Sequence, residues 1–117
     1  MSLFTALGRM YALEYGRGGK VKAFYSEYVR HCMKFYTRHP MPDFKNEIDR
    51  LNWQACDFAL NSYTAAQRRI FSAVYSSDDT MPDNVYQAAK ELGVDQSAVW
   101  KLIKDLERRI AKRRMLI

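Results

Sequence analysis

The amino-acid sequence predicts an all-α protein, on three observations. Apolar residues recur at steps of three and four positions over long stretches, which is the spacing of one face of a helix. No stretch alternates apolar and polar residues for long enough to form a strand. Four of the five glycines and all three prolines fall into short breaks between the helical stretches, at residues 16–19, 39–42, 76–82 and 93.

Composition narrows the class of protein further. The chain has 117 residues, of which 48% are hydrophobic, so it can bury a sizeable core. No stretch approaches the ~18 to 20 consecutive apolar residues that cross a bilayer. Residues 1–15 also lack the apolar block and cleavage site of a secretory signal. We therefore expect a cytoplasmic protein without a membrane partner.

Three helices are expected before residue 62. Ser2 can cap a short first helix, and a second helix, over residues 20–37, carries a wide apolar stripe and ends before Pro40. Its tyrosines lie at helical spacing, which favours core and interface contacts over stacking with nucleic-acid bases. Asp43 can cap the third helix. The expected apolar face of this third helix comprises Phe44, Ile48, Leu51, Ala55, Phe58 and Ala59.

The two cysteines, Cys32 and Cys56, lie in separate helical stretches. Neither has a partner at metal-ligand spacing, and the adjacent His31 would point elsewhere on a helix. The sequence favours two reduced, buried thiols in a cytosolic protein, with a disulfide or a zinc site as the alternatives.

The second half of the chain contains the signals of a helix-turn-helix. Thr64 and Gln67 fit a capping box that opens a helix, and a polar loop over residues 76–83 separates it from the next one. In the following turn, the small Ala89 allows close helix contact and Gly93 tolerates positive φ. Asp95 can cap a last helix, from Gln96 towards residue 114, with its carboxylate.

Positive charge is concentrated on this last helix. Residues 101–117 contain seven lysines and arginines against two acidic residues, which gives +5 of the chain's net +6. Such a stripe is typical of a protein that binds a polyanion, although a solvated basic tail is the alternative. If Val99 faces the core, the outward residues at the start of the helix are Gln96, Ser97, Trp100, Lys101 and Lys104.

Three segments carry a resemblance to a known family: Ala66-Gln67-Arg68-Arg69-Ile70, Ala88-Ala89-Lys90-Glu91-Leu92-Gly93-Val94 and Ser97-Ala98-Val99-Trp100-Lys101. Through them, residues 62–117 resemble the three-helix DNA-binding unit of sigma-factor region 4. They resemble even more the small Gram-positive phage regulators of late genes, of the RinA or ArpU kind. The loop over residues 76–83 is longer and more acidic than sigma-like units usually carry. The resemblance implies a recognition helix in the major groove and a phage or mobile-element transcriptional regulator.

The expected architecture is therefore an N-terminal helical region, 1–61, followed by a three-helix helix-turn-helix domain, 62–117, that binds double-stranded DNA. The residues expected to contact bases are Gln96, Ser97, Trp100 and Lys101. The residues expected to contact phosphates are Arg68, Arg69, Lys104 and Arg108. Trp100 has a second interpretation, which is closure of the helix packing.

Other classes of function remain as alternatives. The helix pair can be purely structural, or the helical surface can belong to a protein-binding adaptor or a phage-encoded inhibitor. The N-terminal region is a candidate for homodimerisation or for binding a protein such as RNA polymerase. No enzyme is expected, because His31 and His39 are the only histidines and no catalytic arrangement surrounds them. No cofactor or metal site is expected either.

Overall fold

The computed structural model describes residues 24–40 and 43–117, and these form five helices. In chain order they are α1 (Ser26–Arg38), α2 (Glu47–Leu60), α3 (Ala65–Tyr75), α4 (Met81–Leu92) and α5 (Gln96–Arg113). No strand occurs in this described part of the chain, which confirms the all-α prediction. The helix expected after Ser2, residues 20–23 of the second expected helix and the break at residues 16–19 lie outside it.

Helices from both sides of residue 62 share the core. Helix α1 packs against α2, α3 and α5, while α2 packs against α5, and α3 packs against both α4 and α5. One continuous cluster of buried side chains results, and its largest fully buried members are Tyr75, Phe71, Met33, Ile103, Leu106 and Ile110. The division into regions 1–61 and 62–117 stays a prediction about function.

Helix α2 differs from the sequence prediction in its cap and in its buried face. Its N-cap is Asn46, whose side-chain oxygen accepts a hydrogen bond from the Asp49 backbone N–H at 2.8 Å, so the predicted Asp43 cap is wrong. Ile48 and Phe58, both expected in the core, are 56% and 59% exposed. The buried face lies further round the helix and consists of Asn52, Ala55, Cys56, Ala59 and Leu60.

Helix α3 begins with the predicted capping box. The Thr64 hydroxyl accepts from the Gln67 backbone N–H at 3.1 Å, and the Gln67 side chain accepts from the Thr64 backbone N–H at 2.9 Å. Two otherwise unpaired backbone donors are thereby satisfied.

The loop before α4 is shorter than the sequence suggested. Thr80 caps α4, and the helix begins at Met81 with Pro82 in its first turn, so the loop covers only residues 76–80. The sequence prediction of a loop over residues 76–83 is therefore wrong. Proline has no N–H to leave unpaired in a first helical turn, which is why it starts a helix here and does not prolong the loop.

Both cysteines are buried and neither forms a disulfide, as predicted for reduced thiols. Cys32 lies on α1 and Cys56 on α2, facing the core. Burial raises the pKa of Cys32 to about 12 and raises that of Cys56 well above its ordinary value. Both groups are therefore thiols, and not thiolates, at neutral pH.

None of the helices in the described ranges combines the length and the apolar content needed to cross a bilayer.

Candidate nucleic-acid interface

A three-residue turn joins α4 to α5. Gly93 has φ of +66°, the left-handed region that the sequence predicted for it. Its N–H and that of Val94 both donate to the Ala89 carbonyl, so the end of α4 is satisfied within the turn. Ala89 is buried, as expected at the contact between the two helices. A turn of this length with an internal glycine is typical of helix-turn-helix units.

The start of α5 is capped differently from the prediction. Asp95 is the N-cap residue, but its carboxylate makes no hydrogen bond to the first backbone N–H groups of the helix. It accepts instead from the Ser97 hydroxyl. The predicted carboxylate cap is therefore wrong, and the Ser97 hydroxyl is left to act as an acceptor towards any ligand.

One side of α5 is cationic along most of its length. Its basic side chains recur at steps of three and four, so they share one face over about 16 Å of helix. They are all exposed, and together we call them the cationic stripe: Lys101, Lys104, Arg108 and Lys112. Within residues 24–40 and 43–117, no carboxylate lies within ion-pair distance of these four side chains.

The structure adds Lys112 to the residues singled out from the sequence. It follows Arg108 by four positions and is exposed on the same face. This spacing is visible in the sequence, so the residue was accessible to sequence reasoning.

The predicted base-contacting residues lie around the first two turns of α5. Gln96, Ser97 and Lys101 are exposed. Trp100 is half-buried and packs against the core, which supports the interpretation that it closes the helix packing. The other part of its surface lies beside the exposed polar residues, so a contact with DNA remains a prediction.

The opposite side of α5 is anchored by a buried ion pair. Val99 and Ile103 face the core, and so does Glu107, which is 3% exposed. The Glu107 carboxylate accepts from Arg30 Nε of α1 and from the Tyr75 hydroxyl of α3, both at 2.9 Å. Burial, the Glu107 charge and this hydrogen bond raise the pKa of Tyr75 well above its ordinary value, so the hydroxyl stays protonated and donates. Three helices are thus tied at one point, which fixes the rotation of α5 about its axis.

Helix α2 runs antiparallel to α5 along the C-terminal half of that helix. Arg109 Nη1 donates to the Ser62 hydroxyl at 2.8 Å, near the end of α2. Arg114 Nε donates to Asn52 Oδ1 at 2.7 Å, in the first half of α2. Asp105, which borders the cationic stripe, is paired with Arg109 Nε at 3.0 Å. The negative charge nearest to the stripe is therefore neutralised.

The two arginines predicted to contact phosphates from α3 are not part of the cationic stripe. Arg68 and Arg69 are both exposed. Arg68 Nη1 donates to the Tyr63 carbonyl at 2.6 Å, and its side chain borders a cavity formed with α1 and α2, for example at Tyr36 and Trp53. No residue of α5 lines that cavity. A phosphate contact by either arginine stays a prediction, and the structure brings only Lys104 and Arg108 of the four predicted phosphate residues onto one face.

In the ranges 24–40 and 43–117, no three histidine, cysteine or acidic side chains come together to hold a metal ion. Comparison with family profiles, with curated proteins and with solved structures finds no match for this chain.

Proposed function

We propose that the protein binds double-stranded DNA through α5, with the first turns of this helix in the major groove. This function rests on one feature: an exposed, polar and cationic face of α5 that follows a tight glycine turn, and whose one exposed carboxylate, that of Asp105, is paired with Arg109. Lysines and arginines clustered on one face are the electrostatic footprint of a protein that binds the phosphate backbone. A regulator of transcription of a phage or mobile element is the class that the family resemblance implies.

Within this proposal the residues divide by role. Gln96 and Lys101 contact base edges, since glutamine suits adenine and lysine suits guanine. Lys104, Arg108 and Lys112 contact phosphates and fix the position of the helix without sequence preference. Ser97 accepts a hydrogen bond from a DNA base, because its own hydroxyl proton is donated to the Asp95 carboxylate.

The test begins with selection of bound duplexes from a random pool, followed by titration of the enriched duplex. We expect the double variant Gln96→Ala/Lys101→Ala to lose at least about tenfold in affinity, since each good base contact contributes ~1 to 3 kcal/mol of discrimination. Wild-type binding is expected to weaken steeply as salt rises, because phosphate contacts release counterions.

Lys45→Ala is the matched control. Lys45 is exposed and precedes α2, and because α2 is antiparallel to α5 it lies beyond the C-terminal end of α5. The substitution removes the same charge from the chain without touching the proposed interface. No enrichment from the pool, equal affinities of the double variant and the control, or no dependence on salt would contradict DNA binding by α5.

A further inference from the structure

A second surface lies between the C-terminal ends of α2 and α5. It is a groove of about 670 Å³, lined chiefly by Phe58, Ala59, Ser62, Arg109, Lys112 and Arg113. None of the described residues that line it is acidic. The groove, called the C-terminal groove below, therefore combines an apolar surface with three cationic side chains, of which Arg109 is already paired with Asp105.

Two of these cations are held in place by contacts within the protein. The Arg113 guanidinium lies over the Phe58 ring, 4.1 Å from its centroid, while Phe58 is still 59% exposed. Arg109 is held by Asp105 and by the Ser62 hydroxyl, through its Nε and Nη1. Its second Nη group is not used by either contact. Arginines fixed in this way lose little conformational entropy when they bind a ligand, unlike free surface lysines.

The C-terminal groove faces a different direction from the cationic stripe. Arg109 and Arg113 each follow a stripe residue, Arg108 and Lys112, by one position, which corresponds to about 100° around a helix. Lys112 borders both surfaces. A ligand in the groove and a ligand along the stripe therefore approach α5 from different sides.

We propose that the C-terminal groove binds an acidic peptide segment of a partner protein, with a large apolar side chain against Phe58 and carboxylates on Arg109 and Arg113. Charge complementarity selects the acidic segment, because guanidinium N–H groups form charge-assisted hydrogen bonds to carboxylates, and both Arg113 and the second Nη group of Arg109 are available for them. The apolar side chain follows from the exposed Phe58 ring, which a phosphate–sugar backbone would leave uncovered. Arg113 covers one face of that ring, and the rest of its exposed surface is available to an aliphatic or aromatic side chain.

The test uses a short fluorescein-labelled peptide with several aspartates around one phenylalanine, titrated into the full chain and followed by fluorescence anisotropy. Two control peptides replace the aspartates by asparagines or the phenylalanine by alanine. We expect the acidic aromatic peptide to bind and both control peptides to bind at least about tenfold more weakly. Phe58→Ala and Arg113→Gln are each expected to weaken binding by a similar factor, with Lys45→Gln as the charge-matched control. Far-UV circular dichroism checks that each variant is folded.

The outcomes separate this proposal from DNA binding by α5. Lys101→Gln/Lys104→Gln is expected to lower affinity for a DNA duplex and to leave peptide affinity within about twofold. If this variant weakens the peptide as much as Arg113→Gln does, or if Phe58→Ala weakens the duplex equally, the groove is part of a nucleic-acid surface and the proposal is wrong. A concentration-dependent dimer that Phe58→Ala abolishes would assign the groove to a second copy of the chain and also overturn it. Absence of peptide binding overturns it directly.

Discussion

Arg30 on α1 and Glu107 on α5 form an ion pair across 77 positions of sequence, with the Glu107 carboxylate withdrawn almost completely from solvent. The Tyr75 hydroxyl donates to the same carboxylate at 2.9 Å. This arrangement determines which side of α5 faces outward, since Glu107 lies opposite the cationic stripe. It also has a direct consequence for stability.

Removal of Arg30 should be strongly destabilising. We expect Arg30→Met to lower the free energy of unfolding by about 3 kcal/mol, because it leaves the buried Glu107 carboxylate without its counter-charge. The double variant Arg30→Met/Glu107→Leu should lose clearly less free energy of unfolding than the two single variants, Arg30→Met and Glu107→Leu, lose together. Urea unfolding of the wild type and these three variants measures the coupling. Strictly additive losses would show that the pair is not buried in solution.

The turn at Gly93 provides a second prediction. A Cβ added at this position would have no atom within 4 Å, so the cost of a side chain comes only from the left-handed backbone. We expect Gly93→Ala to destabilise by about 1 kcal/mol and Gly93→Asn by less, because asparagine tolerates this conformation better. Thermal unfolding of both variants compares the two costs. A larger loss for asparagine than for alanine would contradict the positive φ.

Alkaline pH should weaken the fold through the buried thiols. The pKa of Cys32 is raised to about 12 in the folded protein, whereas the unfolded thiol ionises near pH 9. The unfolded chain therefore releases this proton at lower pH than the folded protein does. The contribution of the thiol to the free energy of unfolding is present below about pH 9 and is lost as pH rises towards the folded pKa. Between about pH 8 and pH 10 the loss from one such thiol is about 1.4 kcal/mol.

The variant Cys32→Ala isolates this contribution. It should lose about 1.4 kcal/mol less than the wild type over the same pH interval, because the variant has no thiol at this position to ionise on unfolding. Urea unfolding at several pH values gives both curves. Parallel curves would mean that Cys32 is not protected from ionisation by burial.

If the cationic stripe contacts phosphates, each of its residues should contribute separately to the salt dependence of DNA binding. Lys104→Ala, Arg108→Ala and Lys112→Ala should each weaken binding to all duplexes alike and reduce the slope of log K against log salt by about 0.9. Gln96→Ala should instead reduce sequence discrimination and leave the slope unchanged. Fluorescence titration at a series of salt concentrations measures both quantities, and a slope unaffected by the three cationic variants would place the phosphate contacts elsewhere.

Local sequence signals predicted some of the features that depend on neighbouring residues, although the predicted caps at Asp43 and Asp95 were wrong. The Thr64 and Gln67 capping box and the positive φ of Gly93 are both present, because each needs only residues within one helical turn. The outward position of Lys101 and Lys104 also follows from periodicity once Val99 is placed in the core.

Features that depend on distant parts of the chain were not predictable in this way. The apolar stripe of α2 is broad, and periodicity alone does not decide which of its two edges meets α5 and α1. Ile48 and Phe58 therefore appeared as core residues although the structure leaves them exposed. The burial of Glu107 was not predicted, because its partner Arg30 is far away in sequence.

In the proposed complex with DNA, the antiparallel placement of α2 beside α5 limits how far α5 enters the groove. The contacts described above between α5 and α2 or Ser62 involve Arg109 or later positions, and the Tyr63 hydroxyl donates to Asp105. Residues 96–104 make no side-chain hydrogen bond, ion pair or ring contact with α2 in the described ranges. Nine residues make about 14 Å of helix, close to the width of a major groove. One copy of the chain should therefore span about four base pairs of duplex, at about 3.4 Å each. An operator long enough to be unique in a genome would then require several copies side by side, or a partner that supplies the remaining length.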